Sequence, residues 1–479
     1  MRIYEINTLV WLVELSERYE QEITLANVPE HEWDVLKAYH FNAVWLMGVW
    51  KRSPRGRALA KEHADVVDEC RRVYPGFSKN RDIVGSPYCI FDYVVDEKFG
   101  GPQGLAIARE SLRERNLQLL LDFVPNHTAH DHHWVTEHPE YYVTGTPRDI
   151  SNNPRRFFKT DANNIIAYGS PSVDTAEAWT DTAQVNFFNQ DYRNAVIATL
   201  RDIGNQCDGI RCDMSMLALD DAFASIWTPL VGTPLAQPFW TEVIKQTRIT
   251  HPDIIFIAES YSDTQWQLQQ QGFNYCYDKE RLYDRLRCGS AESIRQHLFG
   301  SPPEYLKGLL HFIENHDEPP ASLIFRPKER LILAAIATAT LPGASLWYDQ
   351  QFEERFGKLP VQLGSATTMR NFYRRLLKVT YHESISYGDW VMCQVDKAPA
   401  MIAWCWTYDN KRLLVVINVS EDERHWGHIT TPWHDLQGHD WQLYNLLTEE
   451  YFNAESAHEG KFYIEPRRWG ADIFELLQR

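Results

Sequence analysis

Cysteine is sparse and unpatterned: eight in 479 residues, at 70, 89, 207, 212, 276, 288, 393 and 405, with no CxxC pair and no metal-like spacing. A disulfide-built scaffold and a zinc module are therefore not the organising principle, and reduced thiols are the expectation. No apolar run approaches the ~18 residues that a bilayer-spanning helix needs. The opening, Met1-Arg2-Ile3-Tyr4-Glu5-Ile6-Asn7, meets charge again at Glu14 and shows no signal-peptide apolar core. Positive charge is in deficit as well. Lys and Arg number 48 against 65 Asp and Glu, a formal net charge of −17, which argues against nucleic acid and against an anionic membrane as partners. Internal repeats and low-complexity segments are also missing. These absences leave a globular protein, expected in the cytoplasm, too long for one compact core and so built of two or three domains.

Aromatic residues are plentiful: 17 Trp, 23 Tyr and 22 Phe. Most fill cores, but flat rings also suit the apolar faces of sugars. Strand and helix patterns alternate from the start. Ile3 to Val13 reads as a strand, Glu30 to Tyr39 as a helix, Ala43 to Met47 as a second strand, Pro102 to Asn116 as a helix and Leu117 to Val124 as a third strand. This rhythm predicts a parallel sheet, closed or doubly wound. It breaks from about His127 to Asn186, an excursion too long for an ordinary connection. It resumes with a helix from Tyr192 to Gly204, a strand near Gly209, a helix within Pro238 to Thr250, a strand from Ile254 to Ile257, and further units through Leu310 to Ile313 and Ala344 to Trp347. After about Tyr387 only short β runs remain, among them Met401 to Trp406, Leu413 to Ile417 and Lys461 to Ile464.

Four segments carry chemistry: Asp122-Phe123-Val124-Pro125-Asn126-His127, Gly209-Ile210-Arg211-Cys212-Asp213, Phe256-Ile257-Ala258-Glu259 and Phe312-Ile313-Glu314-Asn315-His316-Asp317. Three of them follow apolar runs, as the C-terminal end of a buried parallel strand does. In a (β/α)₈ barrel such ends converge on one face, where catalytic groups sit. Asp213, Glu259 and Asp317 would meet there with Arg211, His127 and His316. A retaining glycosidase needs one carboxylate to attack the anomeric carbon and one carboxylic acid to protonate the leaving oxygen, ~5–5.5 Å away. Arg211, two residues before Asp213 on the same strand face, favours an ionised Asp213. Like charges or an apolar pocket would raise the pKa of Glu259. Taken singly, a strand-end acid more often caps a helix or binds a loop, and an isolated His or Arg is more often structural. The ordered set is what gives these residues a functional meaning.

With those four segments in that order, the chain resembles the α-amylase family of glycoside hydrolases over nearly its full length. The resemblance implies a (β/α)₈ TIM barrel formed by residues 1–127 and 187–386, an inserted B domain at 128–186 after strand three, and an antiparallel, β-sandwich-like C domain at 387–479. It implies that Asp213 is the nucleophile, Glu259 the general acid/base and Asp317 the stabilising third carboxylate. Arg211, His127, His316 and Asp122 would hold the nucleophile and the bound sugar. Tyr88, in Gly85-Ser86-Pro87-Tyr88, resembles the family's stacking aromatic beneath that sugar.

The sequence also departs from the family pattern. Where many members have a Lys-His pair after the nucleophile, this chain has Met216 and Leu217. Asn126 matches the family's calcium Asn, but the inserted segment does not clearly supply the oxygen ligands a hard cation wants, so no metal or other cofactor is expected. His130, His132 and His133 read as cleft-lining rather than metal-binding. Met214 takes the place where members acting on 1,4 bonds often have Thr and those acting on 1,6 bonds Val. The leading expectation is a retaining hydrolase of α-1,4 bonds in maltooligosaccharides, starch or glycogen. A transglycosylase or sugar synthase with the same covalent intermediate, an α-glucosidase or 1,6-acting enzyme, and an inactive binding subunit stay open.

Overall fold

Short apolar strands separated by amphipathic helices close on themselves in the computed structural model, which describes all residues except 74–75, 354–368, 422–425, 437–439, 454–459 and 479. Eight parallel strands form the barrel: β1 (Arg2–Asn7), β2 (Ala43–Met47), β3 (Gln118–Phe123), β4 (Gly209–Cys212), β5 (Ile255–Ala258), β6 (Tyr275–Tyr277), β7 (Leu309–His311) and β8 (Ala344–Tyr348). The order around the barrel is sequential, and β1 closes it by pairing with both β2 and β8. Helices cover the outer face of the barrel and side chains fill its interior, so both faces of each strand are buried and the strands are mostly apolar rather than alternating. Leu119, Leu120, Leu121, Ile210 and Phe256 have no exposed surface, and each such side chain contributes about 1.5–3 kcal/mol.

Two expectations need correction. The strand read as Ile3 to Val13 ends at Asn7, and Thr8–Arg18 is a helix. The continuous apolar run hid the boundary, but Asn7 marks it: its side chain accepts from the Val10 N–H at 3.4 Å as an N-cap. Strand β6, Tyr275–Tyr277, lies between Asn274 and Asp278 with no apolar run to mark it, and was absent from the expected elements.

Between β3 and β4 the chain makes small antiparallel pairings, His127–Ala129 with Thr182–Gln184 and Phe157–Lys159 with Ile165–Ala167. A second excursion, not read from the sequence, follows β2 and contains the pair Trp50–Arg52 with Ile90–Val95. The C-terminal strands form an antiparallel sheet whose central members are Asp389–Asp396, Met401–Tyr408, Lys411–Asn418 and Ala471–Gln478. Period-two alternation splits its side chains. Ile402, Trp404, Trp406, Leu413 and Val415 join the barrel's core, while Met401, Ala403, Cys405, Leu414 and Val416 pack with Ile429 and Phe462 in a second core. Among the described residues, no helix is long and apolar enough to cross a membrane.

Candidate active site

Register builds the site. Arg211 on β4 is the direct partner of Asp122 on β3, so the two side chains point the same way into the barrel. Cys212 pairs with both Phe123 and Ala258, so Asp213 and Glu259 emerge side by side one step beyond the ladder. The Asp213 N–H still donates to the Phe123 carbonyl at 2.9 Å. Met214 then turns the chain with φ 42° and ψ 43°, a left-handed conformation that costs a non-glycine residue about 1 kcal/mol. That turn aims its N–H at Glu259 Oε2, 2.7 Å away.

Arg211 is the hub. Its Nη1 donates to Asp213 Oδ1 at 2.9 Å and lies 3.6 Å from Asp122 Oδ1, while Nη2 donates to Glu259 Oε2 at 2.7 Å. The rings of Trp45, Tyr88 and Tyr277 surround the guanidinium at 5.1, 5.2 and 5.8 Å. Asp122 also accepts from Trp45 Nε1 at 3.1 Å and from the Gly48 N–H at 3.2 Å. Burial outweighs Arg211 and His316 there and pushes its carboxyl up to about 6. Asp213 is pushed well above the usual carboxylate range, by burial and then by Glu259, with Arg211 opposing.

Arg211 favours the charged form of Asp213, as its place two residues earlier on the strand predicts, but it also faces Asp122 and Glu259. Glu259 accepts three hydrogen bonds, from Arg211, from Met214 N and from the Tyr261 hydroxyl on Oε1 at 2.7 Å.

His316 and Asp317 complete the mouth from the loop after β7. His316 Nε2 lies 2.9 Å from Asp317 Oδ2 and 2.7 Å from the Tyr88 hydroxyl, and its ring stacks on Tyr88 at 5.3 Å. Tyr88 thereby contacts both His316 and Arg211. His127 sits at the rim against the Tyr88 backbone and the Trp179 ring, 5.0 Å away, and burial pushes it down to about 4, which leaves it neutral.

Asn126 stands apart. Its Oδ1 accepts from Gln184 Nε2 at 3.0 Å and its Nδ2 donates to Gln184 Oε1 at 3.2 Å, with both residues buried. The oxygen that would ligate calcium already faces an N–H donor, and none of Asn126's hydrogen bonds reaches a carboxylate. These residues do not fit a hard cation. Among the described residues, no group of three or more His, Cys, Asp or Glu could hold a metal ion.

Several residues of the site escaped the sequence reading. Glu5 on β1 bonds His316, Tyr261 bonds Glu259, and the Tyr277 hydroxyl lies 3.4 Å from Arg211 Nε. Only Glu5 left a signal, as the one acid within an otherwise apolar strand core.

A parallel eight-stranded barrel whose mouth gathers acids around one buried Arg defines a class of barrel enzyme-like sites. Comparison gives the family. The sequence model described as "Alpha amylase, catalytic domain" matches residues 31–283, and the chain belongs to the α-amylase family. An alpha-1,4-glucan:maltose-1-phosphate maltosyltransferase from Burkholderia pseudomallei is 26% identical over 56% of this chain and 21% of its own length. An α-amylase from Dictyoglomus thermophilum is 22% identical over 66% of this chain and 57% of its own length. The chain thus spans less than two thirds of these relatives. Among solved structures, a maltogenic α-amylase from Thermotoga neapolitana has a TM-score of 0.70 at 19% identity, covering 100% of this chain and 98% of that one. A debranching enzyme from Nostoc punctiforme has a TM-score of 0.68 at 14% identity, covering 99% and 97%.

Proposed function

We propose that the protein is a retaining α-glucan hydrolase that cleaves α-1,4 bonds of maltooligosaccharides, starch or glycogen. One observation carries the reading: a single buried guanidinium bonds both Asp213 and Glu259 at the barrel mouth. That keeps the two carboxyl groups close, as a retaining pair needs. Asp213 attacks the anomeric carbon as the bond to the glycosidic oxygen breaks, and Glu259 supplies that oxygen with a proton. Glu259 then takes a proton from water, which displaces Asp213 and frees the sugar. Arg211 and the Met214 N–H both address Oε2 of Glu259, so Oε1 is the oxygen left to carry the catalytic proton once Tyr261 yields it. Asp317, His316 and His127 bond sugar hydroxyls, Tyr88 stacks beneath the ring, and Asp122 anchors Arg211.

We read the protein as cytoplasmic, with reduced cysteines, and as independent of calcium because of the Asn126–Gln184 pairing. A transferring variant of the same chemistry has one observation in its favour, the maltosyltransferase among the matched relatives. Nuclear magnetic resonance during early digestion of maltoheptaose tests both. The α-anomer should appear first, with products shorter than the substrate. Products longer than maltoheptaose would mean transfer, and initial β-anomer would remove Asp213 as nucleophile.

A further inference from the structure

Two carboxylates meet one imidazole at the bottom of the cleft. Glu5, with no exposed surface, accepts from His316 Nδ1 at 2.6 Å and from the His316 backbone N–H at 3.3 Å. On the other side of the ring, Nε2 faces Asp317 Oδ2 at 2.9 Å and the Tyr88 hydroxyl at 2.7 Å. Ionised carboxylates only accept hydrogen bonds, and a neutral imidazole has one N–H. A neutral ring would therefore turn a lone pair on one of its two acids. Only the imidazolium, with a proton on each nitrogen, satisfies both.

We propose that Glu5 is a positioning residue, which fixes the His316 ring from beneath and holds it charged so that the cleft receives a cationic Nε2–H donor. The α-glucan reading supplies the acceptor, a sugar hydroxyl that takes over the bond now made to Asp317. The surroundings agree. The ring faces Glu5 from β1, Asp317 from its own loop, Tyr88 from the segment before Ile90–Val95, the Trp45 ring from β2 at 5.5 Å, and Asp122 from β3. Glu5 Oε2 is buried and has no hydrogen-bond partner, so the bonds from His316 to Oε1 are the ones that hold this side chain. Burial works against a charged imidazole, yet Asp317 and Glu5 outweigh it and push His316 up to about 10. The sign follows: His316 keeps its charge through neutral pH and loses it only on the alkaline side.

The test uses the full chain with ¹⁵N-labelled histidine, the His316 signal being assigned by its loss in His316→Gln. In the unaltered protein both ring nitrogens should stay protonated well above the ordinary histidine value of 6.5. Glu5→Gln keeps an acceptor oxygen in place but removes the charge. The His316 titration should fall by about one pH unit or more, and the alkaline limb of kcat/KM on maltooligosaccharides should move the same way. An unaltered protein whose His316 titrates near the ordinary value overturns the proposal, whether or not the variant folds. So does an identical titration in the two proteins. A titration that moves as expected, with neither protein acting on glucans, supports the role of Glu5 and overturns the substrate reading instead.

Discussion

Replacing Arg211 by Met removes the one cation shared by Asp122, Asp213 and Glu259 while leaving an unbranched chain among Trp45, Tyr88 and Tyr277. Taking one partner from a buried ion pair costs about 3–5 kcal/mol, because the other charge is left uncompensated. Here the cost must depend on pH. An acid can always escape by taking a proton, and for Asp122 or Asp213 each pH unit above the ordinary value of 3.8 costs about 1.4 kcal/mol. The ceiling per acid is therefore about 1.6 kcal/mol near pH 5 and about 5.7 kcal/mol near pH 8. Asp122 and Asp213 already have raised values in the folded state, so their effect on stability is neutral below the unfolded value, grows unfavourable as pH rises from there to the folded one, and is constant above it. Without Arg211 that window moves higher still. Urea unfolding followed by tryptophan fluorescence should show Arg211→Met less stable by about 3–5 kcal/mol near pH 8 and by no more than about 1–2 kcal/mol near pH 5, where Asp122 already carries its proton. An equal deficit at both pH values, or none, would refute the idea that Arg211 is the shared counter-charge of the site.

Two further outcomes follow from the same geometry. Asp213→Asn should keep or slightly raise the melting temperature, because it removes a buried carboxyl that burial and Glu259 already push up, yet turnover should fall about ten-thousandfold or more; retention of more than a few per cent would exclude Asp213 as nucleophile. Treatment with EDTA should change activity and melting temperature little, since Gln184 engages the Asn126 oxygen; a drop of many degrees reversed by added calcium would show a complete cation site.

The residues proposed for catalysis were readable from four ordered segments, three of which end an apolar run on a charged or polar side chain, while the one with Arg211 and Asp213 follows only Cys207-Asp208. That is why Asp122, Arg211, Asp213, Glu259 and the His316–Asp317 pair could be named together: parallel strands of one barrel all end on the same face. Glu5 left its signal inside its strand rather than at the end, and an inward-facing acid there has meaning only once His316 is placed beside it. Tyr277 was hidden with β6, which polar Asn274 and Asp278 bound so closely that no apolar run marks it. The helix after Asn7 was hidden by its own apolarity, which continues that of β1. The sharing of Arg211 was beyond reach for a different reason. The spacing of Arg211 and Asp213 predicts an ion pair, but not that the same guanidinium also serves Glu259 and Asp122, nor that a left-handed Met214 brings a third donor to Glu259.

Covalent catalysis through Asp213, with Glu259 as proton donor, is tested most directly by trapping. Glu259→Gln keeps the hydrogen-bonding reach but has no proton to give. A glucose 4-hydroxyl cannot leave without that proton, whereas fluoride can. The variant should fail on maltooligosaccharides yet react with an α-glucosyl fluoride, and the resulting ester should persist because the same residue must activate water. Mass spectrometry of the digested protein should find one added glucosyl group on the peptide containing Asp213. Equal loss of both reactions with no adduct, or an adduct on another residue, would contradict the mechanism.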